Sequence, residues 1–342
     1  MALLFEQEWS KAELLRHVGH MDQVAGIRLT ELADGRGRGC RLLDVWTGSG
    51  FRFQVNADRA LDITSCDFKG IPLAWRSSSG DVHPAFYEPQ GLGWLRSFPG
   101  GLLATCGLDQ FGSPARADSV EFGLHGRISN LPGYQVNYRT FWDGDDYILE
   151  ISGEIRQTAL FAENLALRRR ITTKLGSNRL RIEDAVINDG FEPAPHMLLY
   201  HFNLGFPLVS DQTQLYLQPE STEPRDADAE AGLADWQRFQ PPTPGYREQV
   251  FIHRPRVDEA GNTTVELNNP QLGIGLRWTY AATALPWLME WKMMGEGVYV
   301  VGIEPANCNG IGGRAATDEL GQVPVIEPGE SRHYDIELEV IS

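Results

Sequence analysis

Residues 333–341 read HYDIELEVI, and this stretch shows most clearly what kind of fold the chain adopts. Every second residue is apolar and the residues between them are acidic: Tyr334, Ile336, Leu338 and Val340 alternate with Asp335, Glu337 and Glu339. Because successive side chains of a β-strand point to opposite faces of a sheet, the alternation indicates a strand with one buried and one wet face.

The period of two recurs through most of the chain, between turns supplied by 36 glycines and 20 prolines. Residues 298–303, VYVVGI, are almost wholly apolar, which is typical of a strand covered on both faces. We therefore predict an all-β fold, with one short N-terminal helix opened by a capping box at Ser10 and Glu13 and stopped at Gly19. The predicted strands are residues 50–55, 147–155, 165–172, 179–187, 197–206, 272–280, 297–304 and 333–341.

Composition excludes several classes of partner and site. A net charge of −16 argues against nucleic acid and anionic membranes, which need basic patches. The four cysteines are widely separated, so neither a zinc site nor a disulfide framework is indicated. The start MALLFEQEWS lacks the basic flank and length of a secretory signal, and no apolar run approaches the length of a membrane span. We expect a cytoplasmic protein.

We predict a single domain over residues 1–342. The alternation typical of strands is interrupted at residues 219–245, PESTEPRDADAEAGLADWQRFQPPTPG, which are rich in acidic residues, proline and alanine. They could be an interdomain linker. An excursion between two strands, with a helix through Leu233 and Trp236, is favoured because strand patterning resumes directly after it. We expect this insertion to lie near a binding cleft.

Three segments place polar residues where core packing alone does not need them. The alternation at 197–206 puts His201 and Asn203 on one face, where the alternative is a core histidine with a backbone partner. Glu304 ends an apolar run and precedes Pro305, which we expect to end the strand pairing, and the alternative is a solvated edge residue. His125 lies between glycines in LHG, either beside a ligand or in a simple tight turn.

The chemistry these residues offer is acid–base catalysis. The chain has no HExxH, GxSxG, Walker or CxxC motif, so metalloprotease, serine hydrolase, nucleotide and thiol-redox chemistry lose their usual support. An imidazole with a reference pKa of about 6.5 and a carboxylate at about 4.3 can share the two proton movements that open a sugar ring. Glu248 adds a further polar position on an expected strand.

Several motifs in order resemble the aldose 1-epimerase (galactose mutarotase) superfamily, and more closely its aldose epimerase-like branch. They are DRALDI (58–63), WLRSFPGGLLATCGL (94–108), GLHGRISNLP (123–132), LYHFNLGFPL (199–208), REQVF (247–251), GIEPANC (302–308) and EPGESRHYDIEL (327–338). The resemblance implies a galactose mutarotase-like supersandwich of large antiparallel sheets with an open carbohydrate cleft. It also implies an isomerase that opens and recloses a monosaccharide ring without metal or organic cofactor.

Carried over residue by residue, His201 resembles the histidine that protonates the ring oxygen, and Glu304 the glutamate that takes the anomeric hydroxyl proton. His125 resembles the second, substrate-binding histidine. Glu248 stands where the superfamily has an aspartate ahead of a valine–phenylalanine pair. The superfamily's substrate-binding arginine has no clear counterpart, and Arg59, Arg96 or Arg127 could replace it.

The resemblance implies a monosaccharide substrate. Arginine and lysine side chains near the motifs of this acidic protein suggest that the substrate is a sugar acid, since arginine binds a carboxylate through two parallel hydrogen bonds. Ordinary salt bridges are the alternative. Two other functions stay open: a non-catalytic carbohydrate sensor, and another sugar isomerase or lyase, with a metal held by His125, His201 and a carboxylate. A homodimer is also left open. With Glu248, the predicted substrate-binding residues are His125, Arg59, Arg127, Asn203, Lys292 and Arg314.

Overall fold

The computed structural model describes residues 2–117 and 120–342. Its strands form three large antiparallel sheets, so the predicted all-β fold of large antiparallel sheets is confirmed. All eight predicted strands are present, with ends within three residues of the predicted ones. The alternation at 333–341 belongs to a strand of eleven residues, Ser331–Ile341, near the middle of the largest sheet.

The three large sheets have five, six and eight strands. In order across the sheet, the five-stranded sheet contains Gly26–Glu31, Arg41–Trp46, Phe51–Asn56, Asp62–Phe68 and Ile71–Pro72. The six-stranded sheet contains Pro219–Pro224, Gln249–Pro255, Trp287–Gly295, Val298–Ala306, Leu199–Gly205 and Leu103–Cys106. The eight-stranded sheet contains Gly133–Asp143, Asp146–Thr158, Asn164–Lys174, Arg179–Asn188, Ser331–Ile341, Ile274–Ala281, Asn262–Asn269 and Gln214–Tyr216.

Short elements complete the fold. The N-terminal helix is Lys11–Leu15, and the predicted capping box of Ser10 and Glu13 is formed. The other two α-helices of the described residues are Ala227–Glu230 and Arg314–Glu319, and none of the three is long and apolar enough to cross a membrane. Two-stranded ribbons pair Ala2–Leu4 with Gln7–Trp9, Ala115–Ala117 with Val120–Phe122, and Ala194–Pro195 with Val325–Ile326. Single 3₁₀ turns are Met21–Gln23, Gly35–Gly37, Pro84–Phe86, Gly93–Arg96, Ile128–Asn130 and Leu233–Asp235.

The six-stranded sheet has an apolar cluster on each face. Tyr200, Phe202 and Leu204 point into the main core, which also takes its side chains from the other two large sheets. The alternate residue Leu199 points to the opposite face, into a smaller cluster with Trp94. His201 shares this second face, because it lies two residues further along the strand.

A buried polar network fixes the strand that carries His201 to the other sheets. Tyr200 donates a hydrogen bond to Asp184 (2.8 Å), which also binds Arg169 (2.7 Å). Arg169 reaches Asp62 in the five-stranded sheet (2.9 Å). Asp62 in turn accepts bonds from the backbone and hydroxyl of Thr105 (2.9 and 2.6 Å). Because buried polar groups are costly unless all are satisfied, this network holds the three sheets in one arrangement.

Two local predictions were wrong. Pro305 does not end strand pairing, since the strand continues to Ala306 and Pro305 is the register partner of Leu288. The proline is tolerated because the described pairing with Leu199–Gly205 has no register partner at Glu304 or Pro305. The helix expected through Leu233 and Trp236 is only the 3₁₀ turn Leu233–Asp235.

The acidic stretch 219–245 lies between two paired strands of one sheet. Its first residues form the edge strand Pro219–Pro224, which pairs with Gln249–Pro255. The remainder continues through the short helix Ala227–Glu230 and the turn Leu233–Asp235, and Asp235 contacts Lys292. Arg225 directly follows the edge strand and donates its backbone N–H to Val250, which places its side chain on the face that carries His201.

Candidate active site

His201 and Glu304 meet directly on the second face of the six-stranded sheet. The register pairs Phe202–Ile303 and Leu199–Ala306 flank His201 and Glu304, so these two residues lie across from each other on neighbouring antiparallel strands. His201 Nε2 lies 3.2 Å from Glu304 Oε1. The side chains are only 5% and 2% exposed, so the pair is closed off from solvent in this structure.

Burial sets the electrostatics of the pair. It raises the pKa of Glu304 well above its usual range, with nearby Glu248 adding to the effect and Arg225 opposing it. Burial also lowers the pKa of His201 far below its usual range, helped by the neighbouring His125. Both shifts disfavour charge, because a dry environment penalises the ionised form of either group. The closed pair therefore favours its uncharged forms, an imidazole on His201 and a carboxylic acid on Glu304.

His125 lies beside this pair. Its ring centroid is 5.5 Å from that of His201 and 4.7 Å from that of Trp94. Its backbone φ of +58° is in the left-handed region, which non-glycine residues rarely adopt. Burial lowers the pKa of His125 to about 4, and its Nδ1 has no hydrogen-bond partner among the described residues. A neutral imidazole with a free buried nitrogen is suited to bind a hydroxyl group.

Aromatic rings enclose the pair. The rings of Phe98 and Trp291 lie 5.4 and 5.5 Å from His201, and Trp94 stacks on Phe98 at 4.3 Å. Trp75 meets the edge of Trp291 at 6.1 Å. Flat aromatic surfaces beside a few polar groups are typical of small-ligand sites. These rings were not among the predicted site residues, although Trp94 and Phe98 lie within the motif at 94–108.

A charged pair lies at the edge of this aromatic enclosure. Glu248 accepts one hydrogen bond from Trp291 Nε1 (2.9 Å) and one from Arg225 Nη2 (3.1 Å). Arg225 is also bound by Asp226 (2.8 Å). Glu248 is about half exposed, so both charges can reach a ligand above the aromatic rings. Sequence reasoning missed Arg225, whose one signal is that it is the only basic residue between positions 219 and 237.

Other arginines proposed from the sequence have partners away from His201. Arg127 forms an ion pair with Glu163. Arg96 forms an ion pair with Glu88 (2.7 Å). Arg59 is almost fully buried and donates to the backbone oxygen of Val82 (2.9 Å), so its guanidinium supports the chain locally.

The last three predicted site residues also have local roles. Lys292 lies on the opposite face of the sheet from its neighbour Trp291 and donates to the backbone oxygen of Asp235 (3.1 Å). Asn203 is buried on the face of His201 and donates to two backbone oxygens, at 2.9 and 3.1 Å. The guanidinium of Arg314 lies 5.0 Å from the ring centre of Phe122.

A second histidine–glutamate pair lies on the opposite face of the same sheet. His253 Nε2 is 3.4 Å from Glu290 Oε2, and both side chains are fully buried. The ring of Trp236 covers His253 at 4.6 Å, and Thr222 binds its Nδ1 (2.9 Å). A close His–Glu contact alone therefore does not define an active site. In residues 2–117 and 120–342, no three His, Cys, Asp or Glu side chains come together as a metal site requires.

A family model supplies the deciding comparison. The model for a domain of unknown function, DUF4432, matches residues 37–340. The chain belongs to this family. No curated protein sequence matches the chain.

Solved structures place this DUF4432 protein among galactose mutarotase-like folds. A Klebsiella pneumoniae protein proposed to be an aldose 1-epimerase is 25% identical, with a TM-score of 0.88, over 94% of this chain and 86% of that one. A galactose mutarotase-like protein from Clostridium acetobutylicum is 14% identical (TM-score 0.63; 93% and 99% covered). Galactose 1-epimerase from Lactobacillus acidophilus is 11% identical (TM-score 0.56; 92% and 98% covered). The galactose mutarotase-like fold is thereby confirmed.

Proposed function

We propose that the protein interconverts the anomers of a monosaccharide, with Glu304 as general base and His201 as general acid. The observation that carries the proposal is the 3.2 Å contact between these side chains, enclosed by aromatic rings and beside a third polar ring, His125. Glu304 removes the proton of the C1 hydroxyl while His201 donates a proton to the ring oxygen. The bond between C1 and the ring oxygen then breaks.

Rotation about the C1–C2 bond and reclosure with reversed proton roles give the other anomer. The step starts with the proton of the pair on His201, which gives it to the ring oxygen, and with Glu304 ionised, so that it can take the substrate's own C1 hydroxyl proton. Each well-positioned acid or base contributes about 10²–10⁴-fold to such a reaction. Both side chains are nearly buried, so the aromatic surround must open for a sugar to reach them.

The remaining groups are proposed to bind the sugar. His125 offers a neutral nitrogen, and Glu248 with Arg225 offers an acceptor beside a donor, an arrangement that fits hydroxyl groups. Arg225 already faces two carboxylates, Glu248 and Asp226. A further carboxylate on the substrate would meet more negative charge than positive there. We therefore favour a neutral sugar over the sugar acid that the surrounding cations suggested.

Exchange NMR on a panel of monosaccharides and uronic acids tests the activity, because it measures anomer interconversion directly at equilibrium. We expect at least one sugar to interconvert faster with the protein, and His201→Asn and Glu304→Gln each to lower that acceleration at least about a hundredfold. The matched control is His253→Asn, which alters the other buried His–Glu pair and should leave the rate unchanged.

The same variants separate catalysis from binding alone. The direct contact and near-complete burial of His201 and Glu304 also suit a sugar-binding protein in which the pair only supports the cleft. Such a protein would bind a sugar in a titration without accelerating its interconversion. Loss of activity in His253→Asn equal to that in His201→Asn would instead show that the effect is one of folding, and would contradict the assigned roles.

A further inference from the structure

One glycine beside the catalytic pair has no conformational reason to be a glycine. Gly302 lies within the strand Val298–Ala306, in the interior of the six-stranded sheet, with Asn203 and Trp291 as register partners on its two sides. Its φ is outside the left-handed region, so any residue could adopt its backbone. Glycine inside a strand is unfavourable by about 0.5–1 kcal/mol relative to alanine.

Space is what the glycine provides. Gly302 is two residues before Glu304, so both lie on the face of the sheet that carries His201. A Cβ atom at position 302 would lie 3.3 Å from Glu304 Cδ and 3.0 Å from Trp291 Cβ. It would also overlap Glu304 Oε1, the oxygen that contacts His201. The carboxylate of Glu304 thus occupies the volume that any other side chain at 302 would fill.

We propose that Gly302 is a positioning residue for the catalytic carboxylate. The missing side chain leaves a recess in this face of the sheet, and the Glu304 carboxylate folds back along its own strand into this recess. That position brings Oε1 to the His201 imidazole. Trp291 Cβ also borders this recess, 3.0 Å from the position that a Cβ at 302 would take. The catalytic part of this inference rests on the proposed function.

Gly302→Ala tests the proposal, with Gly153→Ala as matched control. Gly153 is also inside a strand, also outside the left-handed region, and its Cβ would meet only apolar side chains, the nearest being Leu61 Cδ1 at 3.2 Å. We expect Gly302→Ala to lower kcat for anomer interconversion about a hundredfold, as a misplacement of about 1 Å does, with a smaller change in KM. Gly153→Ala should keep the wild-type kcat.

A double-mutant cycle shows whether the effect passes through the carboxylate. In a Glu304→Ala background the added methyl at position 302 has nothing to displace, so Gly302→Ala should lower the residual rate less than twofold. An equal loss in both backgrounds would overturn the proposal, because the glycine would then act on something other than Glu304.

A readout without substrate keeps the inference separate from the proposed function. The ¹⁵N chemical shifts of the His201 imidazole report the adjacent carboxylate. Gly302→Ala should change them and Gly153→Ala should not. If no sugar is interconverted by the wild-type protein, the proposed function fails while this measurement still decides the role of Gly302. Unchanged His201 shifts in Gly302→Ala would overturn it.

Failure to fold is also informative. If Gly302→Ala does not fold but the double variant with Glu304→Ala does, the collision between the methyl group and the carboxylate is demonstrated. If both fail to fold, the glycine serves the packing of Trp291 alone, and the proposal is wrong.

Discussion

His196 should make the protein lose stability in mild acid. This histidine is 2% exposed and lies just before the strand that carries His201. Its Nδ1 is 3.2 Å from the backbone oxygen of Leu108, which can only accept, so Nδ1 carries the proton. Its Nε2 then accepts a hydrogen bond from the Tyr334 hydroxyl (2.7 Å). The site is built for a neutral ring, and burial lowers the pKa of His196 to about 4.

The size of the effect follows from the pKa difference. In the unfolded chain the ring titrates near 6.5, so between the two values the unfolded state binds the extra proton and stability falls as the pH falls. The full difference of about 2.5 pKa units corresponds to about 3.4 kcal/mol, reached below pH 4. At about pH 5 the loss relative to neutral pH amounts to about 2 kcal/mol.

Urea unfolding followed by circular dichroism at about pH 7 and about pH 5 measures this loss. His196→Gln keeps an amide donor and acceptor but does not titrate, so its free energy of unfolding should fall by about 2 kcal/mol less than that of the wild type over this interval. His333→Gln, a change at an exposed histidine next to Tyr334, is the control and should behave as the wild type. Equal losses in wild type and His196→Gln would refute the reasoning.

Three further predictions follow from the described contacts. Arg169→Met should cost about 3–5 kcal/mol of stability in urea unfolding because it leaves Asp184 buried without its cation, whereas Arg170→Met, at an exposed ion pair, should cost less than about 1 kcal/mol. Arg225→Met should raise KM for the sugar more than it lowers kcat, since it frees Glu248 from its partner, and an unchanged KM would remove Arg225 from the binding site. The rate of interconversion should fall on both sides of a pH optimum, as it needs the singly protonated pair, and a flat profile would contradict shared acid–base roles.

The alternation of apolar and polar residues sufficed to predict the all-β class and its strands, because each buried strand face leaves its own period of two in the sequence. The supersandwich arrangement of the sheets was expected only from the family resemblance. The side of the sheet that a strand residue faces was harder to predict. Lys292 was expected at the substrate, yet its neighbour Trp291 is the residue that faces His201. A shift of one position exchanges the two faces, and no local signal sets that choice for a strand that is buried on both sides.

The candidate site shows the same limit. The motifs singled out His201 and Glu304 separately, but their contact depends on the register between two strands far apart in the chain. Arg225 reaches Glu248 because the edge strand Pro219–Pro224 pairs with Gln249–Pro255, a pairing that the composition of 219–245 does not specify. Long-range register and loop paths are set by the packing of the whole domain, so single-sequence patterns do not contain them.

The contact between His201 and Glu304 means that two states of the site are tautomers. Imidazole with carboxylic acid and imidazolium with carboxylate contain the same number of protons, so pH alone does not shift the balance between them. Local polarity does, since a dry surrounding favours the uncharged form and polar groups nearby favour the zwitterion. A polyhydroxy ligand that enters between the aromatic rings would therefore favour the imidazolium form of His201 and the carboxylate form of Glu304. The polarity of the substrate would thus convert the uncharged pair into the acid and base that the reaction needs.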